Sequence, residues 1–250
     1  MINLQASQIA KIVGGELVGT DVTVTAAPVF NSSQATEGSI FLALVGEKTD
    51  GHKYISDAFE HGAVLAFVTS EVPERCIVVK DVITSLNLLA SFVRNALPDL
   101  KVIALTGSQG KTTTKDLLHH ILETVSPTVA PAGNFNNELG APITLLQCDE
   151  KTKFCILEMG ARHVGDIGKL CKMASPDIGV VLRVGTAHVG EFGSEELVAK
   201  AKSEMISSLS PSAIAILGQY DNYTPAMASL HKGVTVTFGE TTGADVRATD

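Results

Sequence analysis

Tryptophan is absent from these 250 residues, and nine Phe with three Tyr are the whole aromatic supply. Aliphatic residues make up the difference. Hydrophobic positions reach 45%, which excludes intrinsic disorder and leaves enough for a sizeable core. That length allows one large domain or two modest ones. Basic residues are scarce as well: 19 Lys and Arg stand against 27 Asp and Glu, a net charge of −8. Residues 1–100 hold 6 basic and 11 acidic side chains and the remainder 13 and 16, so neither part is basic. A general basic surface for nucleic acid is thereby excluded. An anionic small ligand is not, because a few backbone amides and one lysine can hold a phosphate at any global charge.

No apolar run approaches the roughly 20 residues that span a bilayer. Met1–Gln5 lacks the charged start and apolar core of a signal peptide. Cys76, Cys148, Cys155 and Cys171 show no CxxC spacing, and Cys155 lies in an apolar strand-like run. Buried thiols in a reducing compartment are expected. No internal repeat or low-complexity tract is present. The sequence thus reads as a cytoplasmic, monomeric protein with no membrane insertion.

What is present changes character near residue 98. Before it, elements are short: a helix over Ile9–Val13 stopped by Gly14-Gly15, strands over Val22–Thr25 and Ser39–Leu44, and a helix over Tyr54–His61. Strands follow over Ala63–Val68 and Cys76–Val79. Ile83, Leu86, Leu89, Ala90, Val93 and Leu97 then recur at helical spacing until Pro98 ends the helix. A domain boundary is expected there, dividing 1–98 from 99–250. Beyond it, apolar strands (Val102–Leu105, Phe154–Leu157, Ile178–Leu182, Ala213–Leu217, Val234–Phe238) alternate with helices (Lys115–Val125, Val164–Met173, Glu195–Leu209). That alternation predicts an α/β domain with a parallel sheet covered on both faces.

The run Val102-Ile103-Ala104-Leu105-Thr106-Gly107-Ser108-Gln109-Gly110-Lys111-Thr112-Thr113 reads as strand, glycine loop, then helix. Gly107 and Gly110 let backbone N–H groups converge, and the helix N-terminus adds the positive end of its dipole. Lys111 would reach terminal phosphates, and Thr112 would present its hydroxyl to Mg²⁺. The usual first glycine of such a loop is Leu105 here.

Two later strands end in further candidates, since ligands of open parallel sheets sit beyond the strands' carboxyl ends. Glu158 follows the Phe154–Leu157 strand and offers a hard oxygen to Mg²⁺, or a helix cap. His188 follows Ile178–Leu182; alone, a histidine there is more readily a hydrogen-bonding group than a Mg²⁺ ligand. The amide-rich segment Asn134-Phe135-Asn136-Asn137 suits turns and caps as well as a site. Lys202 reads by default as a solvated helix lysine.

Together with Glu158-Met159-Gly160-Ala161, Gly165-Asp166-Ile167, Ala187-His188, Phe192-Gly193-Ser194 and Ala201-Lys202-Ser203-Glu204, these segments resemble the Mur ligase family. Gly38-Ser39-Ile40-Phe41-Leu42-Ala43-Leu44 and Asp50-Gly51-His52 resemble that family's UDP-binding domain. The resemblance spans nearly the whole chain. It implies a small α/β UDP-sugar-peptide-binding domain over 1–98 and a P-loop ATPase domain over 99–250, incomplete at its end. It further implies ATP and Mg²⁺ as cofactors, with Gly107, Ser108, Gln109, Gly110, Lys111, Thr112, Thr113 and Asn137 toward the nucleotide. Thr112, Glu158, His188 and a carbamylated Lys202 would serve Mg²⁺, with Lys111, Lys202 and His188 in the chemistry. Ser32, Asp50, Gly51, His52, Asn134 and Asn136 would face substrate.

The implied reaction joins D-alanyl-D-alanine to UDP-N-acetylmuramoyl-tripeptide through an acyl phosphate, a step of peptidoglycan precursor synthesis. Three positions depart from the family pattern. Asn31-Ser32-Ser33 stands where an Asp-Ser/Thr-Arg signature is usual, Arg183 replaces an Asn, and Gly218-Gln219-Tyr220-Asp221-Asn222 replaces an Asn-Ala-Asp-like turn. The family's carboxy-terminal, dipeptide-binding domain is not represented before Asp250, so this chain by itself is expected to ligate poorly. A sister amino-acid-adding ligase, a folylpolyglutamate-synthase-like ligase and a non-catalytic nucleotide-binding module remain as alternatives.

Overall fold

The computed structural model describes residues 1–46, 49–131, 133, 135–186 and 189–249. The chain divides into two units, Met1–Leu97 with Leu145–Glu150, and Pro98–Thr144 with Lys151–Asp250.

The first unit runs β1 (Leu4–Gln5), α1 (Ala6–Val13), β2 (Glu16–Val18), β3 (Thr23–Val24), β4 (Ile40–Leu42), α2 (Ile55–Glu60), β5 (Leu65–Val68), β6 (Cys76–Val78) and α3 (Val82–Ala96). Its main sheet has the order β2-β6-β5-β4, parallel except for the β2–β6 pair, and β1 pairs antiparallel with β3. β4 and β5 are buried at every position, as continuous apolar runs require when both faces are covered. Phe41, Ala43, Ile55, Ala66 and Val68 form one cluster of this core. α3 starts at Val82 because the Asp81 carboxylate accepts the Thr84 amide at 2.7 Å.

The second unit runs β7 (Lys101–Thr106), α4 (Lys111–Glu123), β8 (Thr128–Val129), α5 (Gly140–Leu145), β9 (Phe154–Glu158), α6 (Asp166–Ala174), β10 (Ile178–Val181), α7 (Val189–Phe192), α8 (Glu195–Ser207), β11 (Ile214–Gly218), β12 (Val234–Gly239) and β13 (Val246–Arg247). Seven strands pair in parallel in the order β13-β12-β11-β10-β7-β9-β8. This is the parallel sheet that alternating apolar strands and helices lead one to expect. Ile103, Leu105, Ile156 and Val180 pack under Leu118 and Leu122 of α4 on one face. On the other face Gly179 makes room for Leu209, which follows α8: a Cβ at 179 would stand 3.0 Å from the leucine's methyl carbons.

Two readings from the sequence need correction, and one helix goes unread. The helix expected from Lys115 begins at Lys111, because Gly110, at φ 83°, turns the loop directly into it. The strand expected over Val22–Thr25 is only Thr23–Val24, since its partner β1 is two residues long. The amide-rich segment also leads into a helix, α5, which its Gly140-Ala141-Pro142 start disguises.

Candidate nucleotide site

β7 lies between β9 and β10, so the chain's path reverses beside it, and the crevice beyond the strand ends is the expected ligand position. The register fixes what meets there. Leu105 pairs with Glu158 on β9, and Thr106 pairs with Val181 on β10. The Gly107–Gly110 loop therefore opens between a carboxylate and the segment that follows β10.

That segment holds the loop in place. The Ser108 amide donates to Arg183 O at 2.9 Å, the Ser108 hydroxyl donates to Gly185 O at 3.1 Å, and it accepts the Gly185 amide at 2.9 Å. At Gly110 the positive φ puts the first turn of α4 immediately behind the loop, as an anion-binding helix terminus requires. Lys111 Nζ donates to Gly107 O at 2.9 Å, folding back over the loop. Burial holds its ammonium below the usual lysine range, and Glu158 partly offsets this.

Glu158 is buried and accepts two side-chain donors. The Thr112 hydroxyl reaches Oε2 at 3.1 Å, and Asn136 Nδ2 reaches Oε1 at 3.0 Å. A buried carboxylate beside a hydroxyl is a hard-oxygen donor pair that fits Mg²⁺. Among the described residues no three His, Cys, Asp or Glu gather into a metal cluster. Lys202, on α8, is 5% exposed rather than solvated. Desolvation, helped by the nearby Lys111 charge, pushes it down to about 8. As an ammonium it has no lone pair for a metal.

The remaining candidates fall into three groups. Thr113 is exposed on the first turn of α4. Asn137 Oδ1 accepts the Leu139 and Gly140 amides at 3.3 and 3.0 Å, so it shapes the entry to α5. Asn134 and His188 lie outside the described residues. In the first unit, the Asp50 carboxylate accepts the His52 amide at 3.0 Å and approaches His52 Nδ1 at 2.7 Å, and these bonds hold it below the usual carboxylate range. His52 Nε2 accepts the Thr69 amide at 3.2 Å, engaging the second ring nitrogen. Gly51 sits between these two residues in the short turn Gly51–Tyr54, and Ser32 is buried at the start of another, Ser32–Gln34.

One feature escaped the sequence. Gln109 lines a cavity of about 300 Å³ together with Arg183, Thr186, Glu195, Asp221 and Tyr223. Asp221 organises its wall, accepting the Val184, Tyr223 and Thr224 amides at 2.7–2.8 Å and the Thr224 hydroxyl at 2.7 Å. Sequence reading singled out Gln109, Arg183 and Asp221 separately; what pointed to their meeting was position, since Arg183, Thr186, Asp221 and Tyr223 follow the carboxyl ends of β10 and β11.

Known proteins resemble this chain in sequence and in fold. The chain is 39% identical over 259 residues to the UDP-N-acetylmuramoyl-tripeptide–D-alanyl-D-alanine ligase of Mycobacterium bovis, covering 92% of this chain and 51% of that one. Its structure resembles MurF from Acinetobacter baumannii with a TM-score of 0.90 at 34% identity, over 100% of this chain and 56% of the other. It also resembles the MurF ligase of Thermotoga maritima solved in complex with ADP, with a TM-score of 0.78 at 33% identity, over 91% and 53% of the two chains. The chain spans about half the length of these relatives. Residues 29–102 match the catalytic domain of the Mur ligase family, and residues 105–250 match the Mur ligase middle domain. That second match takes in more than half of the sequence and the entire phosphate loop, and the chain belongs to the Mur ligase family.

Proposed function

We propose that this chain carries the carboxylate-activating part of an ATP-dependent ligase that joins D-alanyl-D-alanine to UDP-N-acetylmuramoyl-tripeptide. The observation that carries the reading is the Thr112–Glu158 pair beside the Lys111 loop, a phosphate cradle with hard-oxygen donors from the first turn of α4 and the end of β9. In this reading Gly107–Thr113 receives the phosphates of ATP, and Lys111 exchanges its bond to Gly107 O for a phosphate oxygen. Asn137, Asn134 and Asn136 flank the nucleotide and peptide. Residues 1–98 hold the UDP-sugar peptide through Ser32, Asp50, Gly51 and His52, and residues 99–250 hold ATP. The protein acts as a cytoplasmic monomer.

The tripeptide carboxylate attacks the γ-phosphorus, forming an acyl phosphate and releasing ADP. The amine of D-alanyl-D-alanine then attacks the acyl carbon, loses a proton and expels inorganic phosphate. Lys111 stabilises the charge spread over the transferring phosphoryl oxygens. Thr112, Glu158 and His188 would hold Mg²⁺, which supplies charge neutralisation when bound. Lys202 would join them as a carbamate: its buried amine has a neutral form accessible near pH 8, and that form would add CO₂ and release a proton, giving a carboxylate oxygen ligand.

Phosphate release from ATP and Mg²⁺, measured with and without UDP-N-acetylmuramoyl-tripeptide and D-alanyl-D-alanine, tests the proposal against Lys111→Ala. Release that requires the tripeptide and vanishes in the variant is expected. Equal hydrolysis in the variant, or indifference to every acceptor, rejects it.

A further inference from the structure

Lys115 sits one turn beyond Lys111 on α4, is 3% exposed, and has no part in the chemistry proposed above. A buried ammonium is costly unless its three donors are all met. Three oxygens meet them: Pro131 O at 3.0 Å, Gly133 O at 3.2 Å and the Asp116 carboxylate at 2.8 Å. An apolar side chain would fill the same space without that demand, so packing alone does not account for the charge.

The two backbone acceptors lie just before Asn136 in the sequence, and Asn136 is fixed at both ends. Its carbonyl accepts the Gly160 amide at 2.7 Å, and its side-chain amide donates to Glu158 Oε1. Glu158 in turn accepts Thr112, which lies on α4 with Lys115. The contacts close a ring: α4 to the segment after β8, from there to the end of β9, and back to α4.

We propose that Lys115 is a positioning residue, mooring the chain at Pro131 and Gly133 to the phosphate-loop helix so that Asn136 holds the Glu158 carboxylate toward Thr112. Its purpose rests on the nucleotide reading of the site, but the mooring itself does not. Outer partners that orient a metal's ligands control its affinity in this way.

The test compares the wild-type chain with Lys115→Met, Lys115→Arg and Asn136→Ala. Without nucleotide, hydrogen exchange of the Gly160 amide should quicken by about 5-fold in Lys115→Met and return toward wild type in Lys115→Arg. Binding of ADP should weaken by about 10-fold in Lys115→Met when Mg²⁺ is present and change little in EDTA. Asn136→Ala leaves the lysine in place and should reproduce the Mg²⁺-specific loss, which keeps the proposal open to refutation if Lys115→Met does not fold. Unchanged Gly160 exchange, or equal losses with and without Mg²⁺, overturns the mooring. A wild-type chain that fails to bind ADP with Mg²⁺ overturns the nucleotide reading and, with it, the purpose assigned to Lys115.

Discussion

At the scale of single residues, the site concentrates charge where solvent is excluded. Lys202 is the clearest case, because burial and Lys111 both oppose its ammonium. Its folded value of about 8 lies below the ordinary lysine value of 10.5, so the penalty is complete below pH 8 and fades as pH rises toward 10.5. Lys202→Met should therefore stabilise the chain at pH 7 by about 3 kcal/mol, the equivalent of that shift. The gain should shrink by pH 10. Urea unfolding in carbonate-free buffer at the two pH values measures it, and a destabilised variant at pH 7 refutes it. Stability gained by removing a functional charge is a familiar exchange at active sites. Cys171 shows the opposite character: its thiol is pushed up to about 12 by burial, and it rests against the sulfurs of Met159 and Met205 at 3.8 and 3.7 Å.

At the scale of elements, α8 does more than carry Lys202. Two residues further on, the Glu204 carboxylate accepts the Gly165 and Gly168 amides, satisfying the start of α6 from a neighbouring helix. Glu204→Ala should cost about 1.5–3 kcal/mol, as for hydrogen bonds to a charged group. Amide exchange in the first turn of α6 should quicken with it; exchange rising equally throughout the unit would contradict the assignment. The sequence offers no sign of this bond, since its partners are 36 and 39 residues apart. It does display the strands of the larger sheet, because apolar runs such as Val102–Leu105 need no partner to be recognised. The phosphate loop is legible for the same reason: glycines, lysine and threonine act at fixed local spacing. β1 and β8, two residues each, carry too little pattern to be seen. The capture of Glu158 by Asn136 depends on how β9 meets the segment after β8, and the cavity beside Gln109 depends on loops from two strands.

At the scale of the whole chain, the first unit is not continuous. Leu145, Leu146 and Cys148 are buried, and the segment Leu145–Glu150 belongs with Met1–Leu97. The Met1 ammonium donates to Gln147 O at 3.3 Å, joining the first residue of the unit to its last segment. The end of α3 before Pro98 is visible in the sequence, but this return is not, because an apolar leucine pair carries no address. Residues 1–98 expressed alone should be less stable than the same unit in the full chain, at about 1.5–3 kcal/mol for each buried leucine withheld. Hydrogen exchange of β4 and β5 in the two proteins measures the difference, and equal protection refutes it. The same discontinuity sets an order of events on the ribosome. When Leu97 emerges the first unit is still unfinished, and at 5–20 residues per second it waits roughly 3–10 s for Glu150. β7, the phosphate loop and α4 are translated during that wait, while β9 and β10, the strands that flank β7, come after it, so synthesis of the candidate nucleotide site is already under way before the unit that precedes it can close.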